Sequence, residues 1–262
     1  MTSPPEDDWH PPPPVRAIRA AFIFFTRLPL GGFPYRKADW KWAAAHAPLV
    51  GLALGSALGL LDRALLPLGA LPAALLVVGV SLLLTGAFHE DGLADTSDAL
   101  GGGYDTERVL LILKDSRIGS FGGAALVISI VGRAALLAQL GDSVAWALPL
   151  AWCGARVGPI WLMATMPYVT AREGAKSRDL TQGGISQALV ATGWFAAVSV
   201  ALVLTGHFAA QRVGALAAAL TVVTALTGWR YWVRVRGITG DFLGATEQLS
   251  ELAALAVLAW RP

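Results

Sequence analysis

Asp91, Asp95 and Asp98 fall at i, i+4 and i+7 in the run Phe88-His89-Glu90-Asp91-Gly92-Leu93-Ala94-Asp95-Thr96-Ser97-Asp98, at the exit of a strongly apolar stretch. On a helix all three carboxylates project from one face. Bare like charges repel there, and near lipid they are costly to desolvate. Something cationic should hold them, and oxygen-rich clusters of this kind suit Mg²⁺ or Mn²⁺. That points to chemistry on a phosphorylated substrate at a membrane surface. The bland alternative is a solvated helix entrance whose charge complements the helix dipole.

A second motif follows the acids. Gly101-Gly102-Gly103 precedes Lys114-Asp115-Ser116-Arg117-Ile118-Gly119-Ser120-Phe121-Gly122-Gly123. Glycines let backbone N–H groups approach phosphate oxygens, and Lys114, Ser116 and Arg117 offer charge and a hydroxyl to hold them. Asp115 would complete a metal shell of Asp91, Asp95, Asp98 and Asp115. The same glycines could simply let membrane helices pack closely. Near the C-terminus, Thr239-Gly240-Asp241-Phe242 presents Asp241 either as an ordinary helix cap or as a site residue. Arg27, in Thr26-Arg27-Leu28-Pro29, is a phosphate ligand or an anchor to anionic lipid. Arg156 lies inside an apolar run and is a functional suspect, whereas snorkelling would account for Arg133. His46 reads as a packing histidine, and the loop 168–187, with Arg172, Glu173, Lys176, Arg178 and Asp179, as a substrate-facing or plain solvated loop.

The elements that must position these groups are apolar helices. The chain has 262 residues, 55% hydrophobic and only 15% charged, against about a quarter charged in a soluble domain. Runs of spanning length near 42–66, 71–88, 119–140, 143–167, 188–206, 211–233 and 244–260 predict an all-α polytopic membrane bundle of about seven transmembrane helices. The last is the weakest, because Glu247 and Glu251 interrupt it. Segment 15–30 is too short and basic to span and reads as an interfacial or re-entrant helix. Residues 1–14 are expected to be a disordered Pro-rich tail before a single membrane-embedded catalytic domain, 15–262. Arg16 to Phe25, stopped by Arg27 and Pro29, does not read as a cleavable signal. Fifteen of the 20 Lys and Arg residues fall on one set of loops with most of the carboxylates, which predicts a cytoplasmic active face. Trp40, Trp42, Trp146, Trp229, Trp232 and Trp260 near span ends suit interfacial belts. A net charge of +2 with no basic block argues against nucleic-acid binding, and the single cysteine, Cys153, excludes an internal disulfide.

The blocks Phe88 to Thr96 and Lys114 to Gly119 resemble the cobalamin synthase family, the adenosylcobinamide-GDP ribazoletransferases. Phe25-Thr26-Arg27-Leu28-Pro29, Pro48-Leu49-Val50-Gly51 and Thr239 to Ala245 agree in order, so the resemblance spans about residues 16–258. Ala99 and Glu90 depart from it, which leaves Glu90 without an expected role. The resemblance implies an Mg²⁺-dependent transferase of the inner membrane. It would join adenosylcobinamide-GDP to α-ribazole or its 5′-phosphate and release GMP, with His89, Asp91 and Asp95 catalytic: His89 placed to accept the hydroxyl proton or to orient a carboxylate, and an aspartate its rival as base. Membrane lipid surrounds such an enzyme, and a homo-oligomer or a complex with other cobalamin-assembly enzymes is open. Two other readings stand beside it. A CDP-alcohol phosphatidyltransferase fails at Asp95, where that pattern needs arginine. A divalent-cation or proton-coupled transporter should bury its acids near the bilayer midplane.

Overall fold

The computed structural model describes residues 14–31, 37–169 and 184–261, and among these every regular element is a helix. In lipid that is the expected outcome, since a helix satisfies its backbone N–H and C=O groups internally. In chain order the helices are α1 (Pro14–Phe25), α2 (Lys37–Ala43), α3 (Ala47–Leu65), α4 (Ala70–Thr85), α5 (Phe88–Gly102), α6 (Thr106–Ile112), α7 (Ser120–Leu140), α8 (Val144–Ala155), α9 (Val157–Thr165), α10 (Ile185–Leu204), α11 (Ala210–Val235) and α12 (Gly240–Ala259). The tail up to residue 13, Arg36 and the loop residues Arg172, Glu173, Lys176, Arg178 and Asp179 lie outside the described residues.

Five helical stretches are long and apolar enough to cross a membrane, or six if α4 and α5, bent by 93°, count as one broken span. The chain is therefore an all-α membrane bundle, but seven separate spanning helices are not established. One stretch, 120–165, would be about 69 Å long if straight, more than twice the hydrocarbon core. It is broken by the 3₁₀ turn Gly141–Ser143 and again at Arg156, between α8 and α9. α1, at 12 residues and about 18 Å, is too short to cross. It packs through Ala17, Ala20 and Ala21, and Arg16 pairs with Asp39 at 2.7 Å.

Small residues let the helices approach. Gly51, Gly55 and Gly59 line one face of α3 against the α8 backbone. A Cβ at Gly55 would lie 2.8 Å from the Leu148 carbonyl oxygen, and one at Gly59 would lie 3.1 Å from Ala145 Cα. Such contact replaces the hydrophobic drive that lipid removes. α12, the span that looked weakest, is the central helix and touches α5, α7, α8, α9 and α11. Tyr231 stacks on Phe242 at 4.2 Å and donates to its carbonyl at 2.9 Å, locking α11 to α12. His46 accepts from Trp194 Nε1 at 3.1 Å, in keeping with a packing role.

The bundle has two chemically different ends. At one, Arg212 bonds the Leu258 carbonyl and Arg261 the Gln139 carbonyl. At the other, Arg234 bonds the Gly103 carbonyl, and α12 begins beside α5. Of the tryptophans expected at interfaces, Trp146, Trp229, Trp232 and Trp260 are exposed, but Trp40 is buried against Phe24.

Candidate active site

Gly86 (φ +67°) and Ala87 (φ +53°) are consecutive left-handed residues, and they turn apolar α4 into polar α5. Glycine takes that conformation freely, whereas at Ala87 it costs about 1–2 kcal/mol. At 15 residues, with His89, Glu90, Asp91, Asp95 and Asp98 along it, α5 is too short and too polar to span alone and is not among the five stretches long and apolar enough to cross a membrane. Arg27 braces the corner. Its backbone N–H donates to the Leu84 carbonyl at 2.7 Å, and its guanidinium lies against Gly86. A polar cavity of about 460 Å³ there is lined by Arg27, Asp91, Thr26 and Thr85.

Asp91 is exposed, while Asp95 and Asp98 are half-buried. The first turn of α12 docks on α5 at Gly92, where a Cβ would lie 2.8 Å from the Asp241 carbonyl oxygen and 3.2 Å from the Cα of Asp241 and Gly244. Asp241 is thus brought to the acid face. Partial burial, then the charges of Asp91, Asp241 and Asp98, push Asp95 up to about 6. The capping role of Asp241 is overturned, because Thr239 Oγ1 accepts from the Phe242 N–H at 3.2 Å and is itself the cap.

The expected convergence of four aspartates does not form. Asp98 accepts from the backbone N–H of Gly119 at 2.7 Å and of Gly122 at 2.9 Å, so it caps α7 from 21 and 24 residues away. A Cβ on Gly122 would strike that carboxylate and approach the Ala94 carbonyl at 2.9 Å. Gly119 and Gly122 therefore serve helix docking. Asp115 lies apart, in a bidentate pair with Arg117 at 2.6 and 2.9 Å, whose hydrogen bonds hold it down to about 2. Lys114, Ser116 and Arg117 are exposed on the same connection between α6 and α7. Among the described residues, no three His, Cys, Asp or Glu side chains are close enough to hold a metal ion unaided.

His89 also departs from expectation. It lies two residues from Asp91, about 200° around the helix. It is buried, with Nδ1 3.6 Å from Glu247 Oε2 and its ring stacked on Phe25. It faces into the bundle, away from the acids, and so lacks the geometry of a base for them.

Behind α5 lies an ionic network that sequence reasoning missed. Arg133 of α7 is 1% exposed, which overturns its reading as a snorkelling residue. Its guanidinium sits 2.9 Å from Glu90 and 3.5 Å from Glu251. Arg156 pairs with Glu247 at 3.0 Å, and Trp152 Nε1 donates to Glu251 at 3.0 Å. Glu247 and Glu251, one turn apart in an apolar helix, were the available signal, since ionisable residues at membrane depth need partners.

The comparisons with known proteins agree with the motifs. Residues 17–259 match the cobalamin-5-phosphate synthase (CobS) family. An adenosylcobinamide-GDP ribazoletransferase from Albidiferax ferrireducens is 38% identical over 271 residues, covering 91% of this chain and 95% of that one. Relatives of the same name from a Polaromonas species and from Vibrio cholerae are 38% and 36% identical, each again over 91% of this chain. They cover 94% and 91% of those proteins. No solved structure matches. With the match running from α1 to the last turn of α12, this chain belongs to the cobalamin-5-phosphate synthase family.

Proposed function

We propose that this chain is a membrane-embedded transferase that joins adenosylcobinamide-GDP to α-ribazole, or to its 5′-phosphate, and releases GMP. The observation that carries the reading is the carboxylate face Asp91–Asp95–Asp241 beside Arg27, in a chain whose relatives bear that activity in their names. A ribose hydroxyl of the acceptor attacks the phosphorus that bears the aminopropanol arm. The bond from that phosphorus to the bridging oxygen breaks, and GMP leaves with the electron pair. The hydroxyl proton passes to a carboxylate of α5, since His89 faces the other way.

The residues present fit a divalent cation. Asp95 is raised first by partial burial and then by neighbouring negative charge, the second of which a cation would relieve, and carboxylate oxygens are the donors Mg²⁺ prefers. Asp91 and Asp95 would hold it with diphosphate oxygens filling the remaining positions, where it would neutralise the diphosphate and steady the leaving group. Arg27 reaches the phosphates from the cavity it shares with Asp91, and Lys114, Ser116 and Arg117 contact them from the α6–α7 connection. Asp241 accepts from a substrate hydroxyl. The active end faces the cytoplasm from the inner membrane, a reading supported by the bias of Lys and Arg in the sequence towards the loops that carry the acids.

The test is GMP release by the chain in nanodiscs given adenosylcobinamide-GDP, α-ribazole and Mg²⁺. Turnover that needs the metal and is lost in Asp91→Asn is the expected result. Metal-independent turnover, or an unchanged Asp91→Asn enzyme, refutes the reading.

A further inference from the structure

Behind α5, on the side away from its acids, a cavity of about 420 Å³ lies among α5, α7, α11 and α12. Ile128 of α7 and Leu226 of α11 stand exposed at its rim, whereas Leu93 of α5 and Ala245 of α12 are buried behind it. α7, α11 and α12 belong to stretches apolar enough to cross a membrane, so the rim opens onto hydrocarbon. Along α12 the cavity runs from Ala245 to Leu252, about 10 Å, less than the roughly 15 Å of one leaflet. Arg230 lines its acid end, one to two turns before the end of α11, level with Ala245 and Ala125 in the opening turns of α12 and α7.

The other polar groups along the groove are already engaged. Ser97 donates to the Leu93 carbonyl at 2.7 Å, Thr227 to the Val223 carbonyl at 2.9 Å, and Tyr231 to the Phe242 carbonyl at 2.9 Å. Ser129 donates to Gln248 at 3.1 Å, and Gln248 to Glu247 at 3.0 Å. Thr96 Oγ1 has no partner but is enclosed, so it offers an occupant nothing. Arg230 is different: it is half-buried, and no carboxylate among the described residues pairs with it, whereas Arg133 and Arg156 are held by glutamates. An occupant must therefore be apolar over about 10 Å and negative at one end only. We infer that the groove binds an anionic phospholipid, with an acyl chain between Ile128 and Leu226 and the phosphate on Arg230. A helix of a second copy is too thick. At about 10 Å across it would need roughly 800 Å³ over that length, about twice the space there. The chain lies along Leu93 and Leu100, about 200° and 180° around α5 from Asp91, so it backs the acid helix without touching the acids.

Native mass spectrometry of the whole chain, released from micelles doped with dioleoyl phosphatidylglycerol or dioleoyl phosphatidylcholine, tests this. The two lipids share their chains and differ in net charge. Phosphatidylglycerol should be retained about fivefold more than phosphatidylcholine. Arg230→Gln should bring that ratio to within about twofold of unity. Arg236→Gln removes an equal charge from an exposed position further along and should leave the ratio at about fivefold. Ala125→Phe, which puts a ring into the groove, should lower retention of phosphatidylglycerol about fivefold. Equal retention of the two lipids by the wild type overturns the proposal, and that comparison needs no variant to fold. So does a ratio unchanged in Arg230→Gln, or one lost equally in Arg236→Gln, which would make it a diffuse effect of charge. Displacement of the lipid by glycerol 3-phosphate would give Arg230 to a soluble phosphate, and a wild-type dimer that Ala125→Phe dissociates would give the groove to a second copy; either result also overturns it. None of these readouts uses GMP release, so failure of the transferase reading would leave the lipid site standing.

Discussion

Gly92→Ala adds one methyl where α5 meets α12. That methyl would lie 2.8 Å from the Asp241 carbonyl oxygen, against 3.4 Å for ordinary contact, and its neighbours are backbone atoms with no rotamer to change. The helices must therefore part by about 0.6 Å at that point, taking Asp241 away from Asp91 and Asp95. Alanine favours the helix by about 1 kcal/mol over glycine, and overpacking costs about 1–3 kcal/mol, so the net loss of stability is about 0–2 kcal/mol. Activity should suffer more, because a misplacement of about 1 Å can cost on the order of a hundredfold; about a tenfold fall in kcat is expected here. Gly123→Ala is the control, since a Cβ there meets nothing within 4 Å. It should stabilise α7 by about 0.5–1 kcal/mol and leave kcat alone. Both are read by GMP release and thermal unfolding in nanodiscs. A Gly92→Ala enzyme with wild-type kcat, melting higher as Gly123→Ala does, would refute the claim that this contact sets the acid face.

Arg133→Met strands Glu90 and Glu251 without their shared cation and should destabilise the protein by about 3–5 kcal/mol, part of which Glu90→Gln restores; equal melting temperatures for the two would contradict this. Asp98→Ala removes the acceptor for two backbone N–H groups, a loss of about 1–2 kcal/mol read as faster hydrogen exchange in the first turn of α7, with Asp98→Asn in between. Asp115→Asn should leave half-saturation by Mg²⁺ within about twofold, whereas Asp95→Asn raises it by about tenfold or more, the least that even outer-shell changes cost at metal sites. The opposite order would return Asp115 to the metal shell. The pH profile follows from Asp95. Its carboxyl is raised to about 6, so it takes up a proton as pH falls through that value, and activity at limiting Mg²⁺ should fall with it. More Mg²⁺ should carry that limb to lower pH, because a cation favours the ionised form. In the metal-free protein the stability effect runs the other way: folding is penalised as pH rises from the unfolded value towards 6.

What the sequence made legible was local. Asp91 and Asp95 share a face because α5 is a helix, and α1 stays short because Arg27 and Pro29 stop it. Asp98 lies on that face too, but its partners are backbone groups beyond a connection of some 20 residues, which no periodicity reports. Asp115 was lost to a competitor two residues away, Arg117. The position of His89 was readable, since two residues along a helix is more than half a turn, yet its chemistry made it look like a base. The apolar run at 71–88 carried the expected span past Gly86, and nothing in it announced the 93° corner that turns α5 out of the line of the spans. Hydropathy counted Glu247 and Glu251 against the last helix, although their partners Arg133 and Arg156 stand in other apolar runs and cancel them only in three dimensions.

The network behind α5 answers what keeps Asp91 and Asp95 on its outer face. Apolar packing alone tolerates rotation of a helix, because one aliphatic contact replaces another at little cost. Here the back of α5 is Glu90 and His89, and their partners are single atoms. Arg133 lies between Glu90 of α5 and Glu251 of α12, so three helices meet at one guanidinium. Trp152 ties α8 to the same Glu251, and Arg156 ties the α8–α9 break to Glu247. Apolar side chains in these places would hold the bundle at least as firmly, so net stability does not explain the charges. Position does. Turning α5 by one residue, about 100°, would take Glu90 from Arg133 and leave unpaired ions on α7 and α12, at several kcal/mol for each. Only one rotation of α5 pairs the ions behind it, and that rotation sets Asp91 beside Arg27 and Gly92 against Asp241.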